Sequence, residues 1–482
     1  MLFNSWQFLI FFPTVVVLFF ALPGRYRQAL LLLASYYFYM CWKAEYLFLI
    51  LVSTLIDYTA GILMGKTERL ARRRLYLILS LLTNLGLLFT FKYFNFFNDS
   101  FRLLFRHFNL IYHVPALKVL LPVGISFYTF QTLSYTIDVY RGKKEPERNL
   151  VVFALYVAFF PQLVAGPIER STRLLPQFYE KMEFDYERVK NGLLLMAWGF
   201  FKKVVIADRL AIYVNQVYGS PGDFSGPVLL LATYFFAFQI YCDFSGYSDI
   251  AIGAAQVMGY RLMLNFNRPY FSKSISEFWK RWHISLSSWF RDYLYIPLGG
   301  NRVARWRWYA NLFIVFLVSG LWHGANWTFV VWGGLHGSYL LISIWTDGFR
   351  AFVRRKIGLE KHPALKKAIR VAFTFHLVLF SWIFFRAQSL TEALFIIRNI
   401  FSNWQWPALM TVPGFGLTEI IFAVASIFVM ESVHLLQRGT AIRDLLGRQS
   451  TGLRWAVYFL LVMAILLFGA YDNSRAFIYF QF

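Results

Sequence analysis

The stretch LWHGANWTFVVWGGLHG, Leu321 to Gly337, places two histidines in a run that is otherwise apolar. Ionisable side chains are costly inside a membrane, so His323 and His336 are each a functional hypothesis by default. In one straight helix, their spacing of 13 residues would separate them by roughly 20 Å along the axis. The glycines of GANW and WGGLHG allow a break in such a helix, so the sequence leaves this geometry open.

Apolar runs of the same kind recur from one end of the chain to the other. The sequence is 58% hydrophobic and 15% charged, whereas soluble domains usually carry about 25% charged residues. Several runs approach the roughly 20 residues with which a helix crosses a bilayer. We therefore predict an all-α, polytopic membrane protein with about 10 to 13 transmembrane or re-entrant helices.

The positive charge of the chain lies mainly in short connections between apolar runs. The net charge is +23, which in a soluble protein would suggest a nucleic-acid partner. Here the basic clusters at Lys66–Arg74, Arg141–Arg148 and Arg302–Arg307 are typical of loops on the cytoplasmic side of a membrane. We therefore expect contact with membrane lipids and no binding of nucleic acid.

The middle of the chain differs from its ends. Between Pro161 and Gly337 the apolar runs are broken by polar turns such as PQLVAGPIER, YCDFSGYSD and IPLGGNR. Irregular backbone within a membrane is tolerated where protein or a water-filled cavity satisfies its polar groups. We predict one domain over 1–482, with an internal cavity in its central third. Ile275–Gly300, which alternates aromatic and charged residues, fits an interfacial helix or an element that lines this cavity.

Local sequence alone leaves the role of His323 open between packing and chemistry. A buried histidine is often a neutral, hydrogen-bonded residue of the core. Burial also disfavours the imidazolium, and a neutral ring is able to accept a proton as a general base. The sequence contains no HExxH motif and no Cys/His cluster, so we expect no metal. It also lacks GxSxG, which argues against a serine triad of the hydrolase type.

Five segments together resemble the membrane-bound O-acyltransferase family, and within it the bacterial branch that acylates cell-envelope polymers such as alginate and teichoic acids. The segments are LPVGISFYTFQTLSYTIDVYRG from Leu121, FFPQLVAGPIER from Phe159, YCDFSGYSDIAIG from Tyr241, FWKRWHISLSSWFRDYLYIPLGGNR from Phe278 and SGLWHGANWTFVVWGGLHG from Ser319. The resemblance implies many helices around a central funnel that is narrowest at the catalytic histidine. It places the catalytic core at 121–337.

The same resemblance assigns roles to two histidines. His323, in SGLWHG, occupies the catalytic position of the family, and His283, in RWHISLS, matches a second polar position of the same site. His336 has no such match. For His336, packing or orientation of the cavity wall explains the residue as well as a direct role does.

The last six residues, FIYFQF at 477–482, form an unusually aromatic terminus. One interpretation is an aromatic anchor at the membrane interface. The resemblance implies another, because envelope-acylating systems carry a C-terminal F-x-Y-x-x-F motif that Phe477, Tyr479 and Phe482 match. In that interpretation 477–482 is an acyl-acceptor motif, and the Tyr479 hydroxyl accepts the acyl group before it is passed outward.

The resemblance also implies the donor and the partner. The acyl donor in acetylating members is cytoplasmic acetyl-CoA, whose phosphates would be drawn to basic residues at the inner face. Arg281, Arg291 and Arg302 are candidates for this by position only, and they equally fit ordinary positive-inside residues. The expected partner is a periplasmic or membrane-anchored polysaccharide O-acetyltransferase, and the expected location is the bacterial cytoplasmic (inner) membrane.

We therefore predict an O-acetyltransferase that moves acetyl groups across the inner membrane for O-acetylation of an extracytoplasmic polysaccharide such as alginate. One alternative keeps the family and transfers D-alanyl or another acyl group to an envelope polymer, a lipid or a protein. A transporter is a further alternative, since broken helices with Asp243, Asp249 and His323 also fit a translocation path. That alternative predicts paired inverted halves, which are not evident in the sequence.

Overall fold

A computed structural model describes residues 1–404, 412–437, 442–471 and 477–478. Its regular structure is helical throughout these residues, apart from one isolated bridge between Val412 and Phe415. Within the same residues, seven helices are long and apolar enough to cross a membrane. They are Ala44–Gly65, Leu70–His107, Gly226–Val257, Trp327–Trp345, Pro363–Arg386, Leu417–Leu436 and Thr451–Phe468. The predicted all-α, polytopic class is confirmed. The predicted number of about 10 to 13 also included shorter, re-entrant or partly buried helices. Shorter helices are not among the seven, which are those with a length and composition sufficient to span a membrane.

The chain divides into two compact units. The first comprises Met1–Met196 with Ile250–Met263, and the second comprises Ala197–Asp249 with Leu264–Phe482. Two of the three unit boundaries divide the helices Tyr186–Phe200 and Gly226–Val257, each of which is grouped with the unit that holds most of it. The third boundary falls between Met263 and Leu264. The single domain over 1–482 and the central funnel stay predictions.

The first unit is a bundle whose interior contains polar groups. Its helices are Trp6–Ala21, Gly24–Met40, Ala44–Tyr46, Leu47–Gly65, Leu70–Leu88, Phe89–Tyr93, Phe94–His107, Ile125–Tyr140, Leu150–Ala158, Phe160–Leu163, Ser171–Leu174, Leu175–Tyr179 and Tyr186–Phe200. The buried Asp57 accepts hydrogen bonds from Ser80 Oγ at 2.6 Å and from Asn84 Nδ2 at 2.9 Å. Such bonds hold apolar helices together, because the alternative is a polar group in hydrocarbon.

The second unit contains all the histidines singled out above. Its helices are Phe201–Ala207, Asp208–Gly219, Pro221–Asp223, Gly226–Val257, Pro269–Phe271, Ile275–Trp279, Ile284–Phe290, Arg291–Tyr295, Arg305–His323, Trp327–Trp345, Asp347–Lys356, Leu359–Lys361, Pro363–Arg386, Leu390–Ser402, Leu417–Leu436, Ile442–Gly447 and Thr451–Phe468. Phe278, Trp282 and His283 are at most 1% exposed. Their burial places this part of Ile275–Gly300 inside the protein, whereas Ile296 in the same segment is 57% exposed. The interfacial and cavity-lining interpretations both stay predictions.

The stretch quoted at the outset is a tight helical hairpin. Helix Arg305–His323 ends at the first histidine, and helix Trp327–Trp345 begins after a break in which Asn326 Oδ1 accepts a hydrogen bond from Thr328 N at 3.0 Å. A Cβ atom on Gly320 would lie 2.2 Å from the backbone oxygen of Phe329, so only glycine permits this approach of the helices. The spacing expected for one straight helix therefore does not apply.

Candidate active site

His323 lies at the turn of the hairpin, in a pocket of aromatic rings. It is the last residue of its helix and is 2% exposed. Its ring centroid is 5.0 Å from those of Trp322 and Trp332, and 5.4 Å from that of Phe385. Walls of this kind exclude water, which favours acyl transfer to a chosen acceptor over hydrolysis.

The structure brings His283 to the same place. The ring centroids of His283 and His323 are 6.4 Å apart, although 40 positions separate the two residues in the sequence. His283 immediately precedes helix Ile284–Phe290 and has a left-handed backbone with φ +44. That conformation is uncommon for a residue other than glycine, and strain of this kind concentrates at functional sites.

Asn265 orients the ring of His283. The backbone N–H of Ser285 donates to Asn265 Oδ1 at 3.3 Å, which identifies that atom as the amide oxygen, and Asn265 Nδ2 donates to Ser248 Oγ at 3.2 Å. His283 Nδ1 lies 3.0 Å from the same Oδ1. Because a carbonyl oxygen only accepts, Nδ1 carries the hydrogen and Nε2 carries the lone pair. The chain thereby selects one tautomer of a buried imidazole.

The protonation state of His283 follows from its surroundings. The residue lies outside the seven candidate spans. Burial lowers the pKa of His283 to about 3, because a charged imidazolium is poorly solvated there. The ring is therefore neutral near pH 7 and is suited to accept a hydrogen bond through Nε2.

His336 has a different environment from that of His323. Its Nδ1 accepts a hydrogen bond from Trp279 Nε1 at 3.2 Å, and its Nε2 lies 3.0 Å from Ser381 Oγ. Since indole N–H only donates, Nδ1 is unprotonated and Nε2–H donates to the serine. The Trp332 ring contacts both His336 and His323, with centroid distances of 4.9 and 5.0 Å. Both nitrogens of His336 are bonded within the protein, which supports a packing role.

The three arginines considered for the donor phosphates differ in environment. Arg281 pairs with Glu277 at 2.6 Å, and Arg291 pairs with Asp292 at 2.8 Å. Arg302 is exposed. Two of the three charges are thus already balanced by a neighbouring carboxylate, and the assignment of the three arginines to acetyl-CoA stays a prediction.

The described residues contain no group of three or more His, Cys, Asp or Glu able to hold a metal ion.

The C-terminal motif is described only at Phe477 and Ile478, and Tyr479 and Phe482 lie outside the described residues. Phe477 is 1% exposed, and its ring centroid is 5.4 Å from that of Phe244. The Phe244 ring in turn lies 4.6 Å from the ring of His283. The residues that precede Tyr479 are therefore docked one aromatic ring away from the histidine pair.

A cluster of buried charges lies beside these docked residues. Lys203 Nζ is 2.9 Å from Asp208 Oδ1 and 2.6 Å from Asp243 Oδ1. Lys202 Nζ is 2.7 Å from Asp249 Oδ2. Asp243 and Asp249, which suggested a translocation path in the sequence, are thus paired with lysines.

Sequence reasoning did not find Asn265, Lys203 or Phe244 as parts of this region. Asn265 lies 18 positions before His283 in a segment without periodic pattern. The one available signal was the pair of lysines in FFKKVVIAD, since charges in an apolar run call for partners.

Comparison with known proteins places these features in a family. The model of the membrane-bound O-acyltransferase family, MBOAT, matches residues 146–388, a range that includes both His283 and His323. The chain belongs to this family, and it is a membrane-bound O-acyltransferase.

Individual relatives extend the match over the whole chain. The probable alginate O-acetylase AlgI of Pseudomonas putida is 39% identical, over 100% of this chain and 100% of its own length. The peptidoglycan O-acetyltransferase of Helicobacter pylori is 36% identical, over 83% of this chain and 80% of its own length. The teichoic acid D-alanyltransferase of Streptococcus thermophilus is 30% identical, over 55% of this chain and 68% of its own length. The predicted family and enzyme class are confirmed.

Proposed function

We propose that the protein is an O-acetyltransferase that takes acetyl groups from cytoplasmic acetyl-CoA and delivers them across the bacterial inner membrane to a polysaccharide-modifying partner. The observation that carries this proposal is the pairing of His283 and His323 in an aromatic pocket beside the docked Phe477. The similarity to an alginate O-acetylase over the full chain supports acetyl as the group and a polysaccharide such as alginate as the final acceptor.

The first step is transfer of the acetyl group to Tyr479. The phenolic oxygen attacks the thioester carbonyl, a C–O bond forms, and the C–S bond to CoA breaks. His323 accepts the phenolic proton and returns it to the CoA thiolate, so that acetyl-tyrosine and CoA–SH are the products. His283, held in one tautomer by Asn265, accepts a hydrogen bond through Nε2 and orients the reacting hydroxyl.

The second step moves the acetyl group outward. Tyrosine has an ordinary pKa of about 10, well below that of an alkyl alcohol, so its ester has a better leaving group. A hydroxyl of the partner O-acetyltransferase attacks the acetyl-tyrosine, and Tyr479 is restored with its proton. The partner then acetylates the polysaccharide hydroxyl.

Binding of the donor is proposed at the basic inner face. The phosphates of acetyl-CoA carry several negative charges, which a field of lysine and arginine side chains attracts. Arg281, Arg291 and Arg302 are the candidates. Arg281 and Arg291 already pair with carboxylates, so the exposed Arg302 has the least to give up on meeting a phosphate.

The experiment is intact-protein mass measurement with peptide mapping after incubation with isotope-labelled acetyl-CoA. We expect a labelled acetyl group on Tyr479 in the wild type and none in His323→Ala or Tyr479→Phe. Tyr471→Phe is the matched control, because it removes a nearby tyrosine whose hydroxyl bonds the Ile465 carbonyl at 2.7 Å. That variant keeps its label.

Other outcomes would redirect the proposal. An unlabelled wild type that still binds acetyl-CoA would replace the relay by direct transfer to the partner. Absence of binding would favour another donor, such as a D-alanyl carrier, the chemistry suggested by the name of the Streptococcus thermophilus relative. Transport without any acyl donor would support the transporter alternative, whose motivating residues Asp243 and Asp249 are ion-paired here.

A further inference from the structure

The described C-terminal residues are held at three points by one part of the second unit. The Arg209 guanidinium donates to the Phe468 carbonyl at 2.9 Å. The backbone N–H of Ala470 donates to the Val204 carbonyl at 3.0 Å. The backbone N–H of Ile478 donates to Asp243 Oδ2 at 2.7 Å. The last of these is the one nearest to Tyr479 in the sequence.

The carboxylate of Asp243 is held in place for this contact. Its Oδ1 is 2.6 Å from Lys203 Nζ, and its Oδ2 receives the N–H of Ile478. The side chain is only 5% exposed. An ionised acceptor in such surroundings makes a stronger hydrogen bond than a neutral one, because little water competes for the donor.

Lys203 has a second carboxylate partner, Asp208, which offers a direct comparison with Asp243. Asp208 Oδ1 lies 2.9 Å from the same ammonium, so one lysine faces two aspartates. Asp243 differs from Asp208 in that its second oxygen also accepts the backbone N–H of Ile478. A buried carboxylate oxygen requires a donor of this kind.

We propose that Asp243, fixed by Lys203, is a positioning residue that docks the C-terminal segment and thereby sets where Tyr479 enters the acyl-transfer site. The role of Tyr479 in this inference rests on the proposed function. The docking itself rests on the contacts of Phe477 and Ile478 alone.

Two neighbouring residues of one helix connect the anchor with the reaction. Asp243 binds the backbone of Ile478, and Phe244 packs between the rings of Phe477 and His283, at 5.4 and 4.6 Å. One residue extends the chain by at most about 3.6 Å. A slip of the terminus by a single residue would therefore move the Tyr479 hydroxyl by about that distance, which is enough to prevent attack.

The test uses the full-length protein in detergent or proteoliposomes, with two measurements on each variant. Carboxypeptidase digestion followed by intact mass reports how firmly the terminus is docked. The rate at which labelled acetyl-CoA acetylates Tyr479, together with the Kd of acetyl-CoA, reports its positioning. The variants are Asp243→Ala and Asp243→Asn, with Asp208→Asn as a matched control that alters the Lys203 cluster without touching Ile478.

We expect Asp243→Ala to speed removal of residues 477–482 by about tenfold or more, because a charge-assisted hydrogen bond is lost. Acetylation of Tyr479 should slow by about 100-fold, with an unchanged Kd for acetyl-CoA. Asp243→Asn keeps an acceptor oxygen and should recover part of both effects. Asp208→Asn should resemble the wild type in digestion.

Phe477→Ala provides an independent variant in case Asp243→Ala does not fold. It removes the buried ring and leaves the charged cluster intact, so it should also speed digestion. If carboxypeptidase digested both Asp243→Ala and Phe477→Ala at the rate of the wild type, the proposed docking would be overturned. An equal effect of Asp208→Asn and Asp243→Ala would assign the effect to the charge of Lys203 and overturn the specific role of Asp243. Faster digestion with an unlabelled wild-type Tyr479 would support the docking and overturn the acyl-acceptor function separately.

Discussion

His336 and His323 both contact the Trp332 ring, but their surroundings differ. Both nitrogens of His336 are hydrogen-bonded, to the Trp279 indole and the Ser381 hydroxyl. His323 instead packs against aromatic rings and faces the ring of His283. A histidine whose two nitrogens are both bonded within the protein has no lone pair or proton to offer a substrate. The bonds of His336 support a packing role for that residue, whereas the role of His323 as a base stays a proposal that rests on its position beside His283.

The largest effect is expected from removal of the proposed base. His323→Ala should lower the rate of acetyl transfer by about 1,000-fold, since general acid–base catalysis contributes 10²–10⁴-fold. The measurement is transfer of labelled acetyl per folded molecule. His336→Ala is the control, and we expect it to reduce the yield of folded protein more than the turnover of each molecule. An equal loss of turnover in both variants would show that His336 and His323 do not differ in role.

A second prediction concerns the partner of His283. Asn265→Ala should slow acetyl transfer by roughly 100-fold, because the ring of His283 loses the group that selects its tautomer and orientation. Asn265→Asp keeps an acceptor for Nδ1–H and should recover part of the rate. Ser248→Ala is the control, because Ser248 contacts the amide nitrogen of Asn265 at 3.2 Å. If Asn265→Ala retained full activity, the tautomer argument would be wrong.

The hairpin that positions His323 offers a third test. Gly320→Ala should lower the free energy of unfolding by about 1–3 kcal/mol, since the added Cβ meets the backbone of Phe329 and overpacked contacts cost that much. Gly334→Ala is matched to it, because the nearest atom to its Cβ would be Leu317 Cδ2 at 3.6 Å, an ordinary contact. Thermal unfolding in detergent measures both. Equal stability of the two variants would show that the close approach at Gly320 is not required.

The last prediction is a pH dependence of stability. Burial lowers the pKa of His283 to about 3, below its ordinary value of about 6.5. The unfolded chain therefore binds a proton between these values while the folded chain does not. The contribution of the neutral ring is complete above pH 6.5 and is lost progressively as the pH falls toward 3, at about 1.4 kcal/mol per pH unit.

The measurement compares the unfolding of the wild type and His283→Gln as a function of pH. Glutamine does not titrate, so the difference between the two proteins should shrink or reverse as the pH falls below 6.5. A difference that stays constant over that range would mean that His283 titrates alike in the folded and unfolded states.

Much of the class of this protein could be predicted from local sequence. The length of the apolar runs, such as Val228–Tyr241, predicts membrane-spanning helices because the hydrocarbon core of a bilayer is typically about 30 Å thick. The motif SGLWHG singled out His323, and RWHISLS singled out His283. These are properties of contiguous residues, and no knowledge of the distant chain is needed to read them.

The site itself could be predicted only in part. His283 and His323 were named from motifs, but their ring separation of 6.4 Å depends on the packing of helices 40 positions apart in the sequence. The break at residues 324–326 was left open, because glycine permits a turn without requiring one. Asn265 and Lys203 were missed, since a hydrogen-bond partner has no periodic signature.

Composition and the order of apolar runs thus predicted a polytopic, all-α membrane protein. Short motifs predicted its family and named two histidines, His283 and His323, as candidate site residues. Tertiary packing decided which nitrogen of His283 carries the hydrogen, why His336 differs from His323, and that Asp243 holds the residue before Tyr479. The physical reason is the separation along the chain of the residues that each interaction joins. Hydrophobic transfer and helix length act on contiguous segments, whereas tautomers, ion pairs and docking depend on atoms within about 3 Å that the chain brings together from distant positions.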